Sequence, residues 1–237
     1  MKGICAASVF SAHFALPRCM VDRVSYIVKK CAGKRVLHVG CADFSSTGGW
    51  ESAVQGGAWL HRLIEEAAAE AVGIDNAADA VETLRSRYGI TTVYVGDAQH
   101  LEVLGMGTFD LVVAGETLEH LPCPGAFLRS AHAVLQDEGH LLVTTTNAYC
   151  ARRFVRIPFG KESVHPDHCA YYSHRTLRRL AEICGYRVVE QCSYRIHNKK
   201  PLLPYVAERI ASWISPNLCE GIICVLRKGE CQSPLHV

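Results

Sequence analysis

No uninterrupted apolar run in these 237 residues reaches the roughly eighteen that a membrane-spanning helix needs, so no such span is predicted. Charge of one sign is also scarce. The net charge is +2, which gives no general attraction to nucleic acid or to an anionic membrane. The 12 cysteines include no Cys-x-x-Cys pair, which removes a zinc ribbon and a thioredoxin-type site. No internal repeat or low-complexity segment stands out. A Gly-x-Gly-x-x-Gly run is missing after the first apolar segment, which counts against a nicotinamide-dependent dehydrogenase.

What is present has the composition of an ordinary soluble enzyme. With 49% hydrophobic residues, a chain of this length can bury one large core. The cysteines are scattered, and Cys41, Cys184 and Cys224 fall where small buried hydrophobes are expected. A reducing cytoplasm is the simplest setting for them. Lys2 followed by ICAASVFSAHFAL superficially resembles a short signal peptide, but His13 and the single preceding basic residue argue against export. Residues 1–33 are therefore expected to form a helical cap over the pocket or in an oligomer contact, with the oligomeric state left open.

Four segments carry the fold. RVLHVGCAD (Arg35 to Asp43), AVGID ending at Asp75, VYVGDA at Asp97 and FDLVVAGETLEHL around Glu116 each run β-branched and aliphatic, then switch to a small or acidic residue. Strands buried on both faces read this way. Their order predicts an α/β doubly wound, mostly parallel sheet, with Gly40, Asp75, Asp97 and Glu116 facing one crevice at the carboxyl ends of the strands. The spacing fits an adenosine-containing ligand. Gly40 lets the backbone approach it, Asp75 accepts both ribose hydroxyls, and the Asp97 side chain with the Ala98 backbone meets the adenine amino group.

The remaining elements follow from period and punctuation. Helices are expected up to Ala71 (HRLIEEAAAEA), over DAVETLRSRYG with Gly89 as the stop, and from about Gly125 to Leu135. The turn DEGH (137–140) then leads into a strand over 140–146. SHRTLRRLAEICG reads as a helix capped by Ser173 and ended by Gly185. YRVVEQC and GIICVLRK should form a closing antiparallel pair. Residues 34–237 are expected to form one domain with substrate-side insertions near 147–172 and 195–218. In the second insertion Tyr205, Ile210 and Trp213 form an apolar face that either roofs the substrate or packs on the core.

With these strand ends in order, the chain resembles the class I S-adenosylmethionine-dependent methyltransferases from about Lys34 to Lys228. The resemblance implies a Rossmann-like, seven-stranded sheet with an antiparallel last strand. It also implies cofactor contacts from Gly40 and Cys41 in the glycine loop, Asp75 for the ribose, Asp97 and Ala98 for adenine, and Gly115 and Glu116 facing the methionine part. Three positions depart from that pattern. His38 stands where an acidic residue is usual, and Ala42 and Phe44 where further glycines are usual. The step from Gly40 to Asp75 is also long, and its excess, STGGWESAVQGGAW, reads as a loop over the pocket.

The chemistry is expected around ETLEH (Glu116 to His120), Asn147 and HPDH (His165 to His168). On one helical turn Glu116, Glu119 and His120 share a side, so two carboxylates and an imidazole can converge. The ExxEH pattern followed by a later histidine resembles ubiquinone-pathway O-methyltransferases and small-RNA terminal 2′-O-methyltransferases. By that resemblance Glu116, Glu119, His120 and His168, or His165 in place of the last, would hold a divalent metal such as magnesium. The other reading has no metal and uses His120, His165 or His168 as general base. HPDHCAYYSHRTL further resembles methyltransferases of sugars and specialised metabolites, which makes His168, Tyr171 and Tyr172 candidate acceptor contacts. Basic clusters at Arg152, Arg153 and Arg156, at Arg175, Arg178 and Arg179, and at Lys199 and Lys200 are either solvated faces or the seat of an anionic acceptor.

The expected activity is methyl transfer from S-adenosylmethionine to an oxygen, or less favourably a nitrogen, of a small molecule such as a sugar or specialised metabolite. A metal-assisted enzyme acting on a vicinal diol, catechol or RNA terminus is the rival within the family. RNA ranks last, because a strongly basic face is missing. A non-catalytic binding protein is the rival outside it, resting on Ala42 and Phe44.

Overall fold

A computed structural model of the chain describes residues 15–42, 54, 56–57, 59–162, 164–195 and 203–229. Eight strands form one sheet: β1 (Met20–Val21), β2 (Arg35–Val39), β3 (Glu70–Asp75), β4 (Val93–Val95), β5 (Phe109–Gly115), β6 (Leu135–Thr146), β7 (Tyr186–Tyr194) and β8 (Gly221–Lys228). Their spatial order is β1-β7-β8-β6-β5-β2-β3-β4. Every pairing is parallel except those of β8, which runs antiparallel to both β6 and β7. The doubly wound expectation holds. The expected seven strands become eight because Met20 and Val21 pair beside Ser193 and Tyr194 on the outer edge of β7.

Helices cover the sheet: α1 (Arg23–Cys31), α2 (Leu60–Ala67), α3 (Ala78–Tyr88), α4 (Pro124–Val134), α5 (Ala151–Arg156), α6 (His174–Ile183) and α7 (Leu203–Ile214). Their ends obey local chemistry. The Asp22 carboxylate caps α1 by accepting from Ser25 N at 2.8 Å. Gly89 closes α3 at φ 67°, and Ser173 with Thr176 forms a capping box at the start of α6.

The central strands are apolar throughout because both faces are covered. In β5, Val112 and Ala114 pack with Leu37, Phe127 and Leu141 on one side, while Leu111 and Val113 pack with Ile27, Val36 and Leu142 on the other. The first helix is thus bound into the core through Ile27 and Cys31; residues 1–14 of the expected cap lie outside the described residues. Cys41, Cys184 and Cys224 are buried as expected, and among the described residues the cysteines are free thiols.

Three local expectations are corrected. The DEGH turn does not separate helix from strand. Phe109 pairs with Leu135 and Leu111 with His140, so residues 136–139 bulge from β6 itself. Trp59, expected in a loop over the pocket, is 1% exposed and donates from Nε1 to Cys41 O at 2.7 Å. Most of that loop, including Phe44, lies outside the described residues. Ile210 and Trp213, expected to roof a substrate or pack on the core, are 61% and 82% exposed. The buried side of α7 instead carries Glu208 and Ser212, the latter accepting from Arg195 Nη1 at 3.4 Å. The side chain of Tyr205 lies outside the described residues.

Candidate active site

The crevice is built where β2, β3, β4 and β5 end. After β2 the chain turns at Gly40, whose φ of 74° lies in the left-handed region. A side chain there would also meet Thr117 Oγ1 at 2.6 Å, so the position needs glycine twice over. Gly40 N donates to Ile74 O at 2.9 Å, which pins the turn to β3. At the end of β3, the two oxygens of Asp75 accept from Ala42 N and Ala77 N, each at 3.0 Å. The carboxylate therefore shapes the loop while each oxygen retains further acceptor capacity.

Asp97, beyond β4, accepts from Gln99 N at 2.8 Å and lies 2.9 Å from His100 Nδ1. The Gln99 amide, then the His100 ring, hold its carboxyl below the usual carboxylate range. Ala98 beside it is buried.

His38 does not replace the usual acid as a crevice group. It is buried and stacks on His61 with ring centroids 5.4 Å apart and Nδ1 atoms 3.3 Å apart. Burial lowers both imidazoles, His61 to about 4. Cys41 is also buried, and burial, with Asp75 nearby, pushes its thiol upward.

At the end of β5 the backbone is strained: Glu116 has φ 57°, a left-handed conformation costly for a residue with a side chain. It is held by Glu116 N donating to Thr144 O at 2.9 Å and by the Tyr194 hydroxyl donating to Glu116 Oε1. Arg23 Nε donates to Thr144 Oγ1 at 3.0 Å, and its guanidinium lies so close to Gly115 that a Cβ there would meet Nη2 at 2.6 Å. Burial, then the Glu116 charge, raise the Tyr194 phenol well above its ordinary range. Sequence reasoning missed Arg23, Thr144 and Tyr194. Their partners are 28 to 121 residues away in the chain, so no local period marks them.

The ETLEH segment turns as a 3-10 helix at Leu118–His120, and its residues do not converge as expected. Glu119 is fully buried and accepts from Thr145 Oγ1 at 2.8 Å. Burial, reinforced by the Glu116 charge, raises its carboxyl to about 8. His120 instead meets the 165–168 turn, which is tied to it by Cys169 N donating to Glu119 O at 2.7 Å. Ring centroids are 4.5 Å apart for His120 and His168, 5.5 Å for His120 and His165, and 5.4 Å for His165 and His168. Burial lowers the His120 and His168 imidazoles, the latter to about 4, with the neighbouring histidines adding to the effect.

The expected metal set of Glu116, Glu119, His120 and His168 is therefore corrected. Among the described residues the one group of three ligand types brought together is His120, His165 and His168, and neither glutamate belongs to it. One oxygen of each carboxylate is engaged, Glu116 Oε1 by Tyr194 and Thr144 and Glu119 Oε2 by Thr145. An oxygen-rich magnesium site does not fit these residues.

Ten buried side-chain polar atoms among the described residues have no hydrogen-bond partner, and six of them belong to the segments that meet here or to the end of β6 and α5. Glu119 Oε1, Thr146 Oγ1, Arg153 Nε, His168 Nδ1, Tyr171 OH and Tyr172 OH are buried without a hydrogen-bond partner. Arg153, grouped by sequence with a basic cluster, is buried with its guanidinium 4.2 Å from the Tyr171 ring centroid and Nη1 donating to Asn147 O. Asn147 itself is structural, its amide donating to Asn217 O at 2.7 Å and Cys219 O at 2.8 Å. Arg152 is paired with Glu220, Arg178 donates to Gln191 at 3.2 Å and Arg179 lies 3.7 Å from Glu182. Lys199 and Lys200 lie outside the described residues.

A sheet of this order with its polar crevice at the strand ends defines a class, and comparison with known proteins agrees. The chain belongs to the class I S-adenosylmethionine-dependent methyltransferases: the family described as a methyltransferase domain matches residues 12–191. Among curated relatives, the ubiquinone biosynthesis O-methyltransferase of Glaesserella parasuis is 30% identical over 154 residues, 60% of this chain and 58% of that protein. That of Vibrio campbellii is 28% identical over 132 residues, 53% of this chain and 50% of that protein. The match thus spans little more than half the length of these relatives. The CcbJ methyltransferase of Streptomyces caelestis shares the fold at a TM-score of 0.58 and 15% identity, covering 87% of this chain and 88% of its own. Magnesium protoporphyrin IX methyltransferase of Synechocystis, solved with bound SAH, does so at 0.57 and 13%, covering 87% and 80%.

The residues present fit S-adenosylmethionine. Ribose hydroxyls and an adenine amino group are donors, and the ends of β3 and β4 offer the acceptor carboxylates Asp75 and Asp97. No helix among the described residues is long and apolar enough to cross a membrane.

Proposed function

We propose that this protein transfers the methyl group of S-adenosylmethionine to a hydroxyl oxygen of a small molecule. The observation that carries the acceptor side is the set of unpartnered buried polar atoms on Glu119, Thr146, Arg153, His168, Tyr171 and Tyr172. Each such atom costs about 1–3 kcal/mol while unpaired, so a polar guest seated among them recovers that cost. Oxygen is favoured as the target because the curated relatives are O-methyltransferases by name.

Asp75 and Asp97 accept from the ribose and adenine of the cofactor. Arg23, beside Gly115, pairs with the carboxylate of its methionine part, and Glu116 with the ammonium. When bound, the cofactor would supply an electrophilic sulfonium methyl, to which the acceptor oxygen bonds in line as the S–C bond breaks and the sulfur leaves as a neutral thioether. The hydroxyl proton passes to His120, whose lowered imidazole is unprotonated at neutral pH. Glu119, whose carboxyl is raised by burial and the Glu116 charge, turns its unpartnered Oε1 to the acceptor, and Arg153 receives an anionic group on it. A sugar or specialised metabolite bearing a carboxylate or phosphate meets these demands. Positioning supplies most of the rate.

The test is calorimetry with S-adenosylmethionine and, separately, NAD, followed by transfer of a labelled methyl group to a panel of hydroxylated and amine acceptors. Selective sulfonium binding with a labelled ether product is expected. Failure to bind, or transfer to amines alone, overturns the proposal, and binding without any transfer favours the non-catalytic reading.

A further inference from the structure

The three histidines that gather in place of the expected carboxylate set form a feature of their own. Their nitrogen ligands all lie within 4.8 Å of one another. Nitrogens bound to one tetrahedral ion at about 2.1 Å sit roughly 3.4 Å apart, so the rings, now within 4.8 Å, need to close by no more than about 1.4 Å. A second observation points the same way: His168 Nδ1 is buried and has no hydrogen-bond partner. An outer contact of the kind that orients metal-bound imidazoles is present at His120, which the Asp167 backbone hydrogen-bonds. His165 Nδ1 accepts from Asp167 N at 3.3 Å.

We propose that His120, His165 and His168 form a three-imidazole site for a borderline divalent transition ion of the zinc or cobalt class, with at least one position left open. Imidazole donors select such ions over magnesium, which prefers oxygen. Three protein ligands with an open fourth position are the arrangement of catalytic rather than structural zinc sites. Under the methyl-transfer reading the open position accepts the acceptor's oxygen, and with the ion bound His120 is a ligand, so the ion lowers the hydroxyl's pKa in place of proton acceptance by that ring; that placement rests on the reading above, whereas the ion site rests on the three rings.

The experiment titrates cobalt(II) into the metal-free full-length chain and follows its visible absorption, with zinc and magnesium as competitors. One tetrahedral cobalt per chain is expected, displaced by zinc and not by excess magnesium. His165→Ala should weaken cobalt binding by more than about a hundredfold, the upper range for loss of even an outer-shell partner. Glu116→Gln and Glu119→Gln should leave the cobalt spectrum in place. His165→Asn serves as a second variant, with melting temperature and far-ultraviolet circular dichroism as checks that each variant folds. Absence of cobalt absorption overturns the proposal, as does loss of binding in the glutamate variants with retention in His165→Ala. Cobalt binding in a protein that does not bind S-adenosylmethionine would overturn the methyl-transfer reading and leave the ion site standing.

Discussion

Asp75 does two things with one carboxylate: it receives the amides of Ala42 and Ala77, and it faces the crevice in which a ribose is proposed. Asp75→Ala should weaken S-adenosylmethionine binding by about 1.5–3 kcal/mol, the range for a hydrogen bond to a charged group. Calorimetry checks this, and unchanged affinity would remove the ribose assignment. The buried pair His38 and His61 makes a different prediction. Burial holds His61 at about 4 when folded, against an ordinary value of 6.5. Its contribution to stability is present above pH 6.5 and falls away toward pH 4, at about 1.4 kcal/mol per pH unit where steepest. Glu65, 3.8 Å from His61, and Thr92, 3.4 Å away, face the same ring without cancelling its burial. Denaturant midpoints across that window should therefore decline for the parent chain, and less steeply for His61→Asn. Other lowered histidines, such as His174, keep part of the slope.

At the scale of elements, register decides what reaches the crevice. Tyr194 is the last residue of β7 and pairs with Gly221, the first of β8. A Cβ on Gly221 would overlap the Tyr194 ring, whose hydroxyl donates to Glu116. Gly221→Ala should thus destabilise the fold by about 1–3 kcal/mol through overpacking and release the Tyr194 contact that holds the strained Glu116. A lower chemical-denaturation midpoint together with weaker cofactor binding is the expected pair of results; a midpoint equal to that of the parent would mean the ring has room to move. The helix stop at Gly89, the Ser173 cap and the closing antiparallel pair were legible in the sequence because caps, glycine stops and apolar period are local, whereas the helix expected to reach Ala71 ends at Ala67 and gives way to β3 from Glu70. The bulge at 136–139 was not, because DEGH satisfies turn chemistry whether it ends an element or interrupts one. Nor was the outward face of α7. Apolar period marks an amphipathic helix, but Glu208 and Ser212 dock it by polar contacts.

For the whole molecule, cofactor binding and folding are linked. A ligand at a hundred times its Kd adds about 2.7 kcal/mol to stability. For a chain of 237 residues this should raise the melting temperature by about 5–10 °C, measurable in a thermal scan with S-adenosylmethionine and absent with NAD. No shift with the sulfonium compound would contradict the cofactor assignment at the level of the intact protein.

The amino-acid sequence by itself determined the doubly wound sheet and the family. Strands buried on both faces must be continuously apolar, and their ends must switch to small or acidic residues, so four ordered segments carried the signature at Gly40, Asp75, Asp97 and Glu116. Only the tertiary structure decided the reaction half of the crevice. Glu116, Glu119 and His120 are neighbours in the chain, yet Glu116 is held by Tyr194 and Glu119 is buried against Thr145, and neither joins His120 in the one group of three possible ligands found among the described residues. His120 joins His165 and His168 because the backbone of Cys169 hydrogen-bonds that of Glu119 across some fifty residues of sequence. Arg23 reaches Gly115 and Thr144 only once α1 is packed on the sheet. Periodicity reports which face of one element is apolar; it carries no term for side chains that meet through long-range packing and backbone bonds between loops.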